Sequence, residues 1–422
     1  MTTFPINQAT TWVEDFGSPL YVYDASTIER QYRRITEAFD PSIDLGIHYA
    51  CKALNNINVL KLLKSLSAGL DAVSMGEVHL GLRAGFSPEE ILFTPNGVGM
   101  SEIREAAHLG VQINIDNLET LEEFANEFGN SIPVCVRINP HIMAGGNSKI
   151  SVGHIDSKFG ISIHQVRHLH RIVNNMGLHV HGLHMHTGSD ILDIDAFMRG
   201  ASLLMDLAHD FKELTYINFG SGFKVGYRPD ESTTDIESFG AKMSVRFQDF
   251  CLEYGRDLKL IFEPGKFLVS ESGIFLTTVN STKTTPSTVF AQVNSGFNHF
   301  PRPMLYDAYH HIENVSNPEG EQRIYTVVGY ICETDTFGYD RKIAEVRSGD
   351  ILAFHNAGAY CSSMASNYNS RVRPAEVMII DGQAHLIKAR ETFEDLMVGQ
   401  IELDTFAQEK TDAQQTLVPS EV

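Results

Sequence analysis

Eight short runs rich in apolar and β-branched residues alternate with stretches of helical period, and this rhythm limits the fold more than any other feature. The runs are 44–52, 69–74, 90–95, 111–116, 132–140, 178–186, 214–220 and 258–264. Between them lie helix candidates such as 58–69, 76–85, 101–110 and 193–209, several stopping at Gly. The runs are apolar nearly throughout, the pattern of parallel strands covered on both faces. Eight such units in roughly 220 residues predict a TIM-like (β/α)8 barrel. A doubly wound open sheet is the alternative, but no GxGxxG follows the first strand. After residue 265 the texture changes. The segments 267–284, 288–295, 323–334, 350–355 and 375–389 are strand-like with almost no helix between them, which predicts an all-β domain. PLYVYD (19–24) is also strand-like and is expected to pair there. The expected division is a barrel over 27–265, a β domain from 1–26 and 266–400, and a polar tail over 403–422. The long Gly-containing stretch 143–158 is the candidate mobile segment.

Bulk properties exclude several classes. No apolar run approaches the ~20 residues of a membrane helix. The N-terminus has no basic segment followed by an apolar one, so a cytoplasmic location is expected. A formal charge of −20 argues against nucleic acid or an anionic membrane as partner. Five widely spaced cysteines without a CxxC indicate reduced thiols. The histidine-rich run 178–186 has no third ligand at a familiar spacing, so no metal is expected.

Barrel chemistry gathers at the C-terminal ends of the strands. Those ends are Lys52, Ser74, Asn96, Asp116, Arg137, His186, Gly220 and Glu263, seven polar or ionisable and one Gly. A single rim lysine is most simply a snorkelling surface group. The functional reading of Lys52 is an amine whose pKa is lowered by partial burial and neighbouring cations, so that it forms a Schiff base. Gly220-Ser221-Gly222 closes a strand and lets main-chain N–H groups approach an anion, though a plain tight turn has the same composition. HTGSD (186–190) is a second small-residue turn, and two such turns on adjacent strands suggest one phosphate between them. Glu263, in FEPGK, is either a capping or salt-bridging carboxylate or one that stabilises a protonated ring nitrogen. A lysine, a phosphate cradle and a carboxylate for a ring nitrogen together describe pyridoxal 5'-phosphate (PLP).

YACKA (49–53), DAVSMGE (71–77), SKFGI (157–161), HMHTGS (184–189), FGSGF (219–223), EPGK (263–266), RPMLYDAYH (302–310), GYICETDTF (329–337) and GAYCSSMASNYNSR (358–371) carry a resemblance over nearly the whole chain. The chain resembles the fold-type III, alanine racemase-like PLP enzymes, and among them the diaminopimelate decarboxylases. That resemblance implies that Lys52 carries PLP covalently, His186 stacks on its ring and Glu263 meets the pyridine nitrogen. It implies phosphate contacts at Ser189, Ser221, Gly222 and Gly265 with Tyr360 reaching in from the β domain, and supporting roles for Asp71 and Arg137. It places Lys266, Arg302, Tyr306, Glu333 and Tyr360 on the substrate and makes Cys332 a proton donor or a shaper of the site. Cys332 matches a cysteine that enters the neighbouring subunit's site, which implies a head-to-tail homodimer with shared active sites.

The implied reaction is decarboxylation of meso-2,6-diaminopimelate at its D-centre to L-lysine and CO2, the last step of lysine biosynthesis. Two departures stand out: the family's phosphate turn is more often GGGF, and its EPGR reads EPGK here. Lysine cannot make the bidentate fork of arginine, while Arg302 keeps that capacity. Two other readings therefore stay open: decarboxylation of carboxynorspermidine, ornithine or arginine, and a catalytically silent PLP-fold regulatory protein.

Overall fold

The computed structural model describes residues 6–142 and 156–403. Most of the 143–158 stretch and all but the first residue of the expected tail lie outside the described residues. The chain opens its strands with β1 (Leu20–Asp24), then runs through β2 (Leu45–Ala50), β3 (Gly69–Ala72), β4 (Ile91–Phe93), β5 (Gln112–Ile115) and β6 (Val134–Asn139). A two-residue β7 (Ile161–Ser162) is followed by β8 (Val180–His184), β9 (Tyr216–Asn218) and β10 (Lys259–Phe262). Strands β2, β3, β4, β5, β6, β8, β9 and β10 pair in parallel, and the β10–β2 and β5–β6 pairings leave no edge. The result is the closed eight-stranded barrel that the alternation predicts.

Local sequence sets where the surrounding helices begin. Asn56, Ser74, Asn117, Asp193 and Asp235 each accept a backbone N–H two or three residues on, satisfying a donor that the first turn leaves orphaned. Several helices end at a left-handed glycine, Gly110 and Gly255 among them. Among the described residues no helix is long and apolar enough to cross a membrane. Behind β10, Phe39, Phe197, Phe223, Phe239 and Phe262 form one aromatic cluster with centroid separations of 5.1–5.9 Å for the Phe223 pairs with Phe239 and Phe262. Truncating one Phe in such a cluster costs about 3–5 kcal/mol. Phe262 directly precedes Glu263, so this packing fixes the backbone from which that carboxylate projects.

The second sheet contains β1 with β11 (Gly273–Thr284), β12 (Val289–Val293), β13 (Ile312–Asn314), β14 (Gln322–Val328), β15 (Thr336–Ala344), β16 (Ile351–Phe354), β17 (Ala375–Ile380) and β18 (Gln383–Lys388). β1 lies between β11, antiparallel, and β17, parallel. Three strand-like runs are shorter or more broken than their composition predicts. Lys266–Val269 is a helical turn, followed by a 3-10 turn to Ser272, and only Gly273 onward is strand. Every residue of 266–269 is buried, so no alternation separates helix from strand there. The 323–334 run stops at Val328 because Asp335 accepts the N–H groups of Phe297 and Ile331 at 2.7 and 3.0 Å and folds the chain back. The 375–389 run is a hairpin turning at Asp381-Gly382.

The sheet closes one side of the barrel mouth. Tyr360 N–H donates to Ala53 O at 2.8 Å, and Gln31 Nε2 donates to Phe267 O at 3.1 Å. The first bond brings a loop of the sheet over the end of β2, and the second ties the helix that follows β1 to the turn that leads into β11.

Candidate active site

A cavity of about 430 Å³ lies at the C-terminal mouth of the barrel, with Lys52, Asp71, Arg137, His186 and Glu263 among its lining residues. β2 stops at Ala50, and the 3-10 turn Cys51–Ala53 directs Lys52 inward. Its Nζ lies 3.1 Å from Asp71 Oδ2. That distance follows from register, since Asp71 on β3 sits opposite Ala50 on β2. Burial disfavours the ammonium, but Asp71, then Tyr360 and Glu263, overcome it, and the Lys52 pKa is raised. The expectation of a lowered pKa is thereby corrected: the neighbours that decide it are acids. Burial, then the nearby Glu263, raises the Asp71 carboxyl above its ordinary range. Lys52 is therefore held as an ammonium against a carboxylate 3.1 Å away.

Glu263 is 8% exposed and has a partner on each oxygen. Asn218 Nδ2 donates to Oε1 at 2.6 Å, and His184 Nε2 donates to Oε2 at 2.9 Å. Burial alone would raise its pKa; His184, with Lys52, reverses that, and the carboxylate is held ionised. Asn218 Oδ1 in turn accepts the Gly220 N–H at 2.9 Å, so the carboxylate and the glycine turn share one scaffold. His186 receives the Ser221 N–H on Nδ1 at 3.2 Å. A nitrogen that accepts carries no proton, so the imidazole is neutral with its proton on Nε2. Burial first, then Arg137 and Lys52, depresses its pKa to about 3.

The two small-residue turns are locked together. Ile191 N–H donates to Gly222 O at 2.9 Å. Gly222 has φ +136°, and a Cβ there would stand 2.1 Å from Gly188 O. Across the mouth, a Cβ on Gly265 would stand 3.3 Å from the Tyr360 hydroxyl. Ser189, Ser221, Gly222, Gly265 and Tyr360 all line the same cavity. Lys266 lines it too, but its Nζ is engaged by Asp190 Oδ1 at 2.5 Å.

Four residues expected at the site are not in the lining. Arg302 is buried beside it, donating Nε to His310 Nε2 at 3.2 Å, with its guanidinium 5.1 Å from the Tyr227 ring and 5.9 Å from the Tyr306 ring. Cys332 and Glu333 are exposed on a separate loop. There Cys332 Sγ lies 3.4 Å from Glu333 Oε2, and the Tyr368 hydroxyl donates to Glu333. Three residues with direct contacts here were not singled out in the sequence: His184 and Asn218 on Glu263, and Asp190 on Lys266. The His-Met-His spacing signals that His184 shares a face with His186. Asn218 and Asp190 carry no such signal.

These groups suit PLP. A cavity-facing amine can hold its aldehyde carbon, an ionised buried carboxylate can meet its ring nitrogen, and two turns too close for any Cβ can cradle its phosphate.

Comparison with known proteins points the same way. Residues 25–270 match the family model described as pyridoxal-dependent decarboxylase, pyridoxal binding domain. The chain is 38% identical over 396 residues to the diaminopimelate decarboxylase of Methanothermobacter thermautotrophicus, covering 92% of each. It is 35% identical over 394 residues to that of Vibrio cholerae, covering 90% of this chain and 92% of the other. The crystal structure of the Helicobacter pylori diaminopimelate decarboxylase complexed with L-lysine superposes with TM-score 0.84 at 32% identity, covering 92% of this chain and 98% of that one.

Proposed function

Because the chain belongs to the diaminopimelate decarboxylase family of PLP-dependent enzymes, we propose that it decarboxylates meso-2,6-diaminopimelate at its D-centre, releasing CO2 and L-lysine. The observation that carries this reading is Lys52, Asp71 and Glu263 meeting in one cavity, in a chain that matches these decarboxylases over nine-tenths of its length. PLP, when bound, supplies the electron sink that receives the pair left behind by departing CO2.

The chain's own groups do the rest. Lys52 Nζ is an ammonium beside Asp71, and it becomes a nucleophile by giving its proton to Asp71 Oδ2. Glu263, fixed by Asn218 and His184, stays ionised and would hold a proton at the pyridine nitrogen. Neutral His186, oriented by the Ser221 N–H, offers a flat uncharged face for stacking. The turns at Gly188 and Gly222, with Ser189, Ser221, Gly265 and Tyr360, would hold the phosphate, and Arg137 and Asp71 would support the ring. Lys266, Arg302, Tyr306 and Tyr360 form the distal end of the substrate pocket.

Cys332 and Glu333 act in a partner subunit's cavity. Their exposure, and their separation from the lining of their own cavity, support a head-to-tail homodimer in which they complete the shared sites. We divide the chain into a barrel unit, 27–265, and a β unit from 1–26 and 266–400. The five cysteines that form no disulfide suit a cytoplasmic enzyme.

The test is CO2 release and product analysis with meso-diaminopimelate, carboxynorspermidine, ornithine and arginine. The expected outcome is turnover of the first, with L-lysine as product. Rapid turnover of ornithine with none of meso-diaminopimelate would sink the assignment, and inertness toward all four would favour the silent PLP-binding reading. Borohydride reduction followed by peptide mapping should place the cofactor label on Lys52.

A further inference from the structure

Lys266 lines the cavity and Arg302 is buried beside it, and the fold treats these two cations unequally. Lys266 Nζ lies 2.5 Å from Asp190 Oδ1, with side chains 10% and 25% exposed. Arg302 is 8% exposed, and among the described residues no carboxylate forms an ion pair with it. Its neighbour His310 adds no charge. His310 Nε2 accepts from Arg302 while Nδ1 donates to His355 O at 2.8 Å, which is the neutral tautomer.

Asp190 is set in place by the backbone. Its φ of +63° belongs to the left-handed region. The next residue, Ile191, is tied to Gly222 O, so Asp190 projects from the seam between the two glycine turns. Its charge is felt at Arg302 as well as at Lys266.

We propose that Asp190 is a specificity-determining residue: it offsets one of the two distal cations, so that the pocket accepts a distal ammonium together with a distal carboxylate. This rests on the function proposed above and extends it to a residue outside the motifs that suggested that function. With Lys266 and Arg302 both uncompensated, two cations would oppose the one carboxylate, Glu333, that completes the shared site, and the pocket would favour a bare distal carboxylate over one beside an ammonium. With Asp190 present, Lys266 is neutralised, Arg302 is left to take the carboxylate, and the ammonium meets one uncompensated cation instead of two.

The experiment compares meso-diaminopimelate with D-2-aminopimelate, which keeps the distal carboxylate and lacks the distal ammonium. Wild-type holoenzyme should prefer meso-diaminopimelate in kcat/KM. In Asp190→Asn that preference should fall at least tenfold, through a higher KM for meso-diaminopimelate and an unchanged or lower KM for D-2-aminopimelate. Asp190→Glu, which keeps the charge, should recover the preference. Parallel losses on both substrates, or an Asp190→Glu enzyme with the selectivity of Asp190→Asn, would overturn the role. Should Asp190→Asn lose turnover altogether, calorimetry of the holoprotein decides. L-lysine should bind at least tenfold more weakly than to wild type while 6-aminohexanoate is unaffected, and equal weakening of both counts against the proposal. A wild-type protein inert toward meso-diaminopimelate overturns the function and this inference with it, whereas parallel losses in the variant overturn only the role of Asp190.

Discussion

The barrel has two polar ends, and only one of them is built for chemistry. At the C-terminal mouth, titratable groups meet in pairs: Lys52 with Asp71 at 3.1 Å, His184 with Glu263 at 2.9 Å, Lys266 with Asp190 at 2.5 Å. At the N-terminal end, a second cavity of about 420 Å³ is lined by His48, Tyr216 and Lys259, residue types just as reactive in principle. These side chains fill gaps left by glycine. A Cβ would stand 2.6 Å from His48 at Gly69, 2.3 Å from Tyr216 at Gly182 and 2.7 Å from Lys259 at Gly46. Two of the three pairs, His48 with Gly69 and Tyr216 with Gly182, are direct neighbours in the parallel register. Polarity inside a barrel therefore does not mark a site. Nor does opposed charge alone, since Asp44, Glu89 and Glu90 line the N-terminal cavity with Lys259. What sets the mouth apart is a buried carboxylate with a partner on each oxygen, Glu263, in one cavity with an amine paired to Asp71.

Breaking the upper end should cost activity and spare the fold. Lys52→Ala removes the amine that we propose holds the cofactor covalently, and kcat should drop by at least ~1,000-fold with little change in Tm. Steady-state CO2 release alongside a thermal melt checks both halves, and near-normal kcat would remove Lys52 from the chemistry. Breaking the lower end should do the reverse. Gly69→Ala forces a methyl into the His48 ring and should destabilise by about 1–3 kcal/mol, read by denaturant unfolding, with kcat within about twofold of wild type. A large kcat loss there would erase the distinction between the two ends.

Acid sharpens the same contrast more gently. Burial depresses the His48 pKa to about 4, against an ordinary value near 6.5. The folded protein keeps this ring neutral while the unfolded chain takes up a proton. The stabilisation is therefore complete above about pH 6.5 and is lost as pH falls toward 4. His181, also depressed to about 4, adds to the slope with the same sign. Unfolding midpoints at pH 7, 5.5 and 4.5 should fall with pH, and His48→Gln should flatten part of that fall without altering kcat. An unchanged slope in the variant would mean that His48 does not contribute.

The contrast also explains what could be read in the sequence. The eight strands were legible because two-sided burial leaves continuous apolar runs, and Lys52, Glu263 and Gly220–Gly222 stood out as chemically odd endings to such runs. Pairings were not legible, because register is a tertiary property. Nothing near Lys52 in sequence announces that Ala50 lies opposite Asp71, so cations were expected around an amine whose deciding neighbours are acids. Asn218 reaches Glu263 from the neighbouring strand β9, 45 positions away in sequence. HTGSD reads as a small-residue turn, and nothing in it marks the aspartate that engages Lys266. The helical turn at Lys266–Val269 was hidden for the opposite reason, since burial on every side erases periodicity.

The placement of β1 has a consequence for how the molecule is made on the ribosome. Leu20 pairs with Leu276 on one side and Ala375 on the other. At about 5–20 residues per second, this strand waits for tens of seconds before either partner emerges. The barrel strands between them are complete first, so the nascent chain carries an unpaired LYVYD segment throughout that interval. Ribosome-stalled or truncated chains ending before residue 276 leave that sticky edge bare, and they are the species most in need of a chaperone.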